Sequence, residues 1–187
     1  IYIDVEQVEE FADCTRAQSM VNTPSFQERL AQLRATPKVD YLGVAGVKFN
    51  VLELLYQDFL ANHFSKNNER AQAFQAYVDS FEGKLVLHST YDAIHEHFLK
   101  PEGSEAWGWR QWPEAYQNPE SAEVKQFQQD NEERIRYFQY VQWLADSQLG
   151  DVDDYAKSLG MDVGIYRDLA VGSDQGGAET WVNKHEF

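Results

Sequence analysis

Cysteine is almost missing from this sequence of 187 residues: Cys14 stands alone. No internal disulfide can form, nothing points to an oxidising compartment, and a cytoplasmic setting is expected. Basic residues are scarce as well, with 16 Lys plus Arg against 31 Asp plus Glu and a formal charge of −15. A field of that sign repels phosphate backbones and anionic headgroups, so neither nucleic acid nor a membrane surface is an expected partner. Long apolar runs are absent too. None approaches the roughly 20 residues that span a bilayer, and the acidic opening Asp4, Glu6, Glu9, Glu10 is the reverse of a signal peptide's basic start. The chain begins at Ile1 rather than Met, which is expected of a piece of something longer.

What is present is a globular composition: 43% apolar, 14% aromatic and 25% charged residues. Helical periodicity dominates. Residues 5–21 place Val5, Val8, Phe11, Ala12, Met20 and Val21 at mostly helical spacing. Thr23 is an expected cap for a second helix over 25–34, with Pro24 at its first position and Phe26, Leu30 and Leu33 on one face. The stretch 41–64 is too apolar to keep a wet face over its middle, and reads as the central, most buried helix. Further helices are expected over 67–81, ended near Gly83, and over 84–99. After Ser121 a long helix carries Val124, Phe127, Ile135, Phe138, Val141, Trp143, Leu144 and Leu149, with a kink at Gly150 or continuation to Gly160 as the alternatives.

Two segments break the helical pattern. Residues 101–120 combine Pro101, Gly103, Gly108, Pro113 and Pro119 with Trp107, Trp109, Trp112 and Tyr116, an aromatic loop too apolar for a linker. Residues 161–171, between Gly160 and Gly172, read as one short strand of a parallel, doubly covered sheet. A parallel strand needs a neighbour. The expected fold is therefore mainly α, a helical bundle subdomain over 1–160 with one short strand near the C-terminus and a Gly-rich loop in 161–187.

The chemistry-bearing residues are few. His95 and His97, beside His88, are spaced two apart and face different sides of a helix, so they do not converge on one metal. Cys14, among acidic neighbours on an amphipathic helix, reads as a structural thiol. The loop 172–177 lacks the lysine of a phosphate-binding loop and the spacing of a dinucleotide fingerprint. Most carboxylates, such as Glu132, Glu133, Asp151, Asp153 and Asp154, fall on helix faces that need solvation. Asp168 and Asp174 differ, lying at the carboxyl end of the expected strand and in the loop after it, where a barrel of parallel strands builds its sites, with anchoring of the loop as the equal alternative for Asp168. The tryptophans of irregular segments serve either as packing under loops or as faces for sugar rings.

The run from Gly164 through Tyr166, Asp168 and Val171 to Gly172, with Gly177-Ala178-Glu179-Thr180-Trp181, resembles the third-strand segment of the bacterial 4-alpha-glucanotransferases, the amylomaltase or disproportionating-enzyme family. Tyr2-Ile3-Asp4-Val5-Glu6, Val39-Asp40-Tyr41, Trp112-Pro113 with Tyr116, Pro119-Glu120-Ser121 and Gln142-Trp143-Leu144-Ala145 follow in the family's order. The resemblance implies the helical insertion and one strand of a (β/α)8 barrel. It also implies a parent enzyme that moves α-1,4-glucan segments between malto-oligosaccharides with retention, through a carboxylate nucleophile and an acid/base carboxyl about 5 Å apart.

No motif bearing those catalytic groups is in this sequence, so no catalytic residue is assigned. No cofactor or metal is implied, and the implied partners are glucan and the remainder of the barrel. Asp168 and Trp181 match positions of the family, and Asp174 joins them as an expected substrate-binding residue that substitutes in the loop only if the loop refolds. Many members have Asp or Asn where Gly176 stands, a departure in the loop. A free-standing acidic helical module that binds a basic partner is the competing reading, and glucan binding through the loop of Trp107 to Trp112 is a third.

Overall fold

The structure is a computed structural model that describes residues 1–99, 108–166, 168 and 172–186. It is mainly helical, as expected. In chain order the helices are α1 Thr15–Val21, α2 Pro24–Ala35, α3 Tyr41–Asn62, α4 Glu69–Asp79, α5 Lys84–Phe98, α6 Ala122–Asp130, α7 Glu132–Ser158 and α8 Ala178–Val182. Thr23 caps α2 as read, and Asp40 and Ser121 cap α3 and α6 in the same way. Thr23 Oγ1 accepts from the Phe26 N–H at 3.3 Å, Asp40 Oδ1 from Gly43 N–H at 2.8 Å, and Ser121 Oγ from Val124 N–H at 3.1 Å.

Packing divides the chain into two units, Ile1–Ala76 with Val141–Asp153, and Tyr77–Tyr140 with Asp154–Phe187. The first unit is built on the second half of α3, where Val51, Leu52, Leu55, Tyr56 and Phe59 are buried. Phe59 meets Phe74 edge-on at 5.4 Å, and Trp143 of α7 closes on Phe74 at 5.5 Å. Glu10 is only 2% exposed, and the Arg70 guanidinium clamps it with bonds of 2.9 and 3.0 Å while lying 4.2 Å over the Trp143 ring. A buried carboxylate is tolerable only with such a paired, bidentate partner.

That pair bears on the first helix expected. Residues 5–21 are not one helix: two 3₁₀ turns, Val5–Gln7 and Glu9–Ala12, precede α1. Asp4 caps the first turn by accepting from Glu6 N–H, and Val8 is extended between the turns. The break coincides with the inward turn of Glu10 toward Arg70. The helix after Ser121 is interrupted too. Asn131 leaves the helical region with φ −124° and ψ 28°, and its side chain bonds back to Phe127 O, ending α6. From there α7 runs through Gly150 to Ser158, and Gly160 follows with φ 88°.

The expected strand is not formed where the structure describes it. Residues 161–166 and 168 are irregular, Val163 and Tyr166 stand 70% and 83% exposed, and no strand occurs among the described residues. The apolar pattern alone cannot make a parallel strand, whose N–H and C=O groups need a neighbour on which to pair. Arg167 and residues 169–171 lie outside the described residues, as do Lys100 and the 101–107 part of the aromatic loop.

Candidate functional site

The loop that carries Asp174 is anchored in the second unit, from three directions. The Tyr91 hydroxyl of α5 donates to Gly176 O, and Trp109 N–H reaches the same oxygen at 3.4 Å. Trp109 Nε1 donates to Thr180 Oγ1 at 3.1 Å, and that hydroxyl donates in turn to the loop carbonyls around Asp174 and Gly177. Gly108 comes so near that a Cβ there would lie 2.5 Å from Gly176 Cα, and its φ of 107° belongs to glycine. The loop is thus clamped between α5, the turn at 108–112 and the start of α8.

Burial pushes the Tyr91 phenol up to about 12, with Asp92 and Asp174 adding to the shift. It therefore stays a neutral hydrogen-bond donor throughout the physiological range. Asp174 is exposed; its Oδ1 accepts from Gly176 N–H at 2.9 Å, closing a tight turn. Asp168 is exposed as well. Trp181 is the opposite case. It is 0% exposed, its Nε1 donates to Tyr116 O at 2.9 Å, and its ring lies 5.9 Å from Trp112 and 6.0 Å from Tyr91. It offers no face to a ligand and fixes the turn at 116 to α8. Of the three residues singled out from the sequence, Asp168 and Asp174 are exposed and Trp181 is packed in the interior.

The histidine cluster is taken up in packing. His95 stacks on Tyr91 at 5.8 Å, and burial lowers its pKa. His97 meets Phe127 edge-on at 5.6 Å, His88 lies 3.5 Å from Asp92, and Glu96 binds Arg134 at 2.6 Å. Among the described residues no group of three or more His, Cys, Asp or Glu is placed to hold a metal. Cys14 is buried with its thiol toward Leu54 O at 3.7 Å, a structural role. Tyr91 and Thr180 are the anchors that sequence reasoning missed. Neither carries a local signal, because what matters is their register on α5 and α8 against a loop some 85 residues away in sequence for Tyr91.

The sequence profile of the 4-alpha-glucanotransferase family matches residues 1–187. Among individual proteins, the 4-alpha-glucanotransferase of Haemophilus influenzae is 29% identical over 183 residues, which is 97% of this chain and 26% of that protein. Those of Mycobacterium bovis and Mycobacterium tuberculosis are 32% identical over 74 residues, 40% of this chain and 10% of theirs. The chain thus spans about a quarter of the length of the Haemophilus protein. A match along the whole chain does not favour the free-standing interaction module.

Proposed function

Since the chain belongs to the 4-alpha-glucanotransferase family, we propose that it is the helical part of an enzyme that transfers α-1,4-glucan segments between malto-oligosaccharides with retention. In this reading residues 1–160 form the helical subdomain and 161–187 its junction with the catalytic barrel, whose remainder is the chain's main partner. The catalytic carboxylates lie elsewhere in the parent protein, and the fragment is inactive alone. A cytoplasmic setting suits the single, buried thiol of Cys14.

The observation that carries the reading is the clamped loop. Three anchors and a glycine-on-glycine approach are more than an idle loop requires, and they leave the Asp174 carboxylate outward with Asp168 exposed nearby in sequence. Carboxylates on a preorganised rim are what a groove for neutral, hydroxyl-rich chains requires, since they accept from sugar hydroxyls without reorganisation. Asp168 and Asp174 are the proposed glucan contacts. Trp181 contributes by positioning.

The test is glucose release from maltotriose. A longer protein covering the length of the Haemophilus relative is expected to release glucose, and the 187-residue chain to release none. In the longer protein, Asp168→Asn or Asp174→Asn is expected to lower kcat/KM about tenfold, the loss of one charged hydrogen bond. Release by the 187-residue chain, or an inactive longer protein, would overturn the proposal.

A further inference from the structure

One helix corner of the first unit is left open. None of the 12 residues of α2 is buried, and neither is any of residues 41–50 of α3. There α2, the linker after it and the start of α3 line a cleft of about 420 Å³, with Leu30, Leu33, Val44 and Val47 as apolar walls. Its rim is cationic. Arg34, Lys38 and Lys48 line it, and among the described residues no carboxylate does. Three of the chain's 16 basic residues thus meet at one place on a molecule of net charge −15. Lys48 donates to the carbonyl oxygens of Ile1 and Ile3, the latter at 2.7 Å. Asp40, the nearest acid in sequence, is taken by Arg29 at 3.3 Å, and among the described residues Arg34 and Lys38 make no ion pair.

An apolar floor with a cationic rim is complementary to an apolar helix face flanked by acids. The chain carries such a face itself. Leu149, Val152 and Tyr155 of α7, with Leu159 at its C-terminal cap, are each at least 40% exposed. They follow one another at three, three and four residues, which makes one stripe along a helix. At about 100° per residue, Asp151 and Asp153 fall about 40° outside the two edges of that stripe, and Lys157 falls on the far face. Large apolar side chains lined up in water with acids on both sides mark an interaction surface rather than scattered exposure.

We propose that two copies of this chain associate through this contact, the end of α7 of one copy lying in the α2–α3 cleft of the other. Each copy brings both halves, so the contact is made twice in a two-fold dimer. At physiological ionic strength charges are screened over about 8 Å, so the facing groups outweigh the repulsion between two molecules of charge −15. The inference uses these surfaces alone and is independent of the glucan reading.

Sedimentation of the 187-residue chain is expected to show a monomer–dimer equilibrium with a Kd on the order of 10 μM, as for a small contact between preformed surfaces. Arg34→Glu with Lys38→Glu sets acid against acid, and Asp151→Lys with Asp153→Lys sets base against base. Either pair of reversals is expected to weaken self-association about a hundredfold. Mixed in equal amounts, the two variants oppose acid to base in both contacts and are expected to dimerise with each other at close to the parental affinity. None of the four positions is buried, so the variants are expected to keep the helical circular dichroism of the parent.

A chain that stays monomeric overturns the proposal. If amides 42–48 then gain protection only in a monomeric protein of the relative's full length, the cleft belongs to another part of that protein. A dimer that either reversal leaves unchanged, or reversals that mixing does not restore, overturns it equally.

Discussion

Asp92 shows how one half-buried side chain, still 29% exposed beside His88, sets a pH dependence. Burial pushes its carboxyl up to about 6; His88, 3.5 Å away, pulls it down, and Glu96 pushes it up again. The folded state therefore holds this proton more tightly than the unfolded chain, whose carboxyl titrates near 3.8. The sign follows from linkage: the contribution of Asp92 is greatest below 3.8 and is lost as pH rises through 6. At neutral pH the ionised, poorly hydrated carboxylate is a net cost. Asp92→Asn is accordingly expected to be more stable than the parent at pH 7 by about 1 to 3 kcal/mol, with the difference closing toward pH 4. Urea unfolding across that range measures it, and a difference that widens on acidification would show that the His88 pairing dominates instead. Gly108 makes a second point at this scale. It supplies both a φ of 107° and room for Gly176, so a backbone requirement on one segment is met by the residue type of another.

On α3 the two halves separate apolar content from burial. The pattern over 41–64 reads as the most buried helix, and in its second half that is correct: Val51, Leu55 and Phe59 are 0% exposed. Residues 41–50 include no buried residue, and Tyr41 and Leu42 are 63% and 69% exposed. Mutations should register the split. Leu55→Ala is expected to cost about 2 to 5 kcal/mol, while Leu42→Ala stays within about 0.5 kcal/mol. Thermal or urea unfolding of both checks it, and comparable losses would mean the first half is covered in solution.

The same comparison shows what the sequence makes legible. Caps at Thr23 and Ser121 are legible because their bonds span three residues, and the cap at Asp40 is of the same local kind although the sequence reading leaves it as linker. The division at Val8 is not, since it goes with the pairing of Glu10 and Arg70, 60 positions apart. The interior position of Trp181 agrees with packing as the default reading of a tryptophan in an irregular segment, but which partners it meets depends on tertiary register. The exposed loop position of Asp174 is legible from its neighbours in sequence, whereas the anchors of that loop, Tyr91 and Thr180, need the tertiary register.

At the scale of the whole molecule, the segment after α7 is apolar without being buried. Val163 and Tyr166 face solvent, Gly160 and Gly164 take φ values of 88° and 67°, and no described residue adopts a strand. Apolar residues in a short run between glycines are suited to a strand covered on both faces, and such a strand exists only inside a sheet. If 161–187 is the junction with a barrel, the sheet is supplied by other parts of a protein about four times as long, given the 26% coverage of the Haemophilus relative. Hydrogen exchange then has a definite pattern. In the 187-residue chain the amides of Asp162, Val163 and Gly164 are expected to exchange near the unprotected rate. In a protein of the relative's full length they should gain at least about a hundredfold in protection, as ladder hydrogen bonds that open only with the surrounding core. Protection already present in the 187-residue chain would mean the segment has found its own partner and that the junction is misplaced. Exposure in both would detach residues 161–166 from any sheet and leave the helical subdomain without a strand to join it to the barrel.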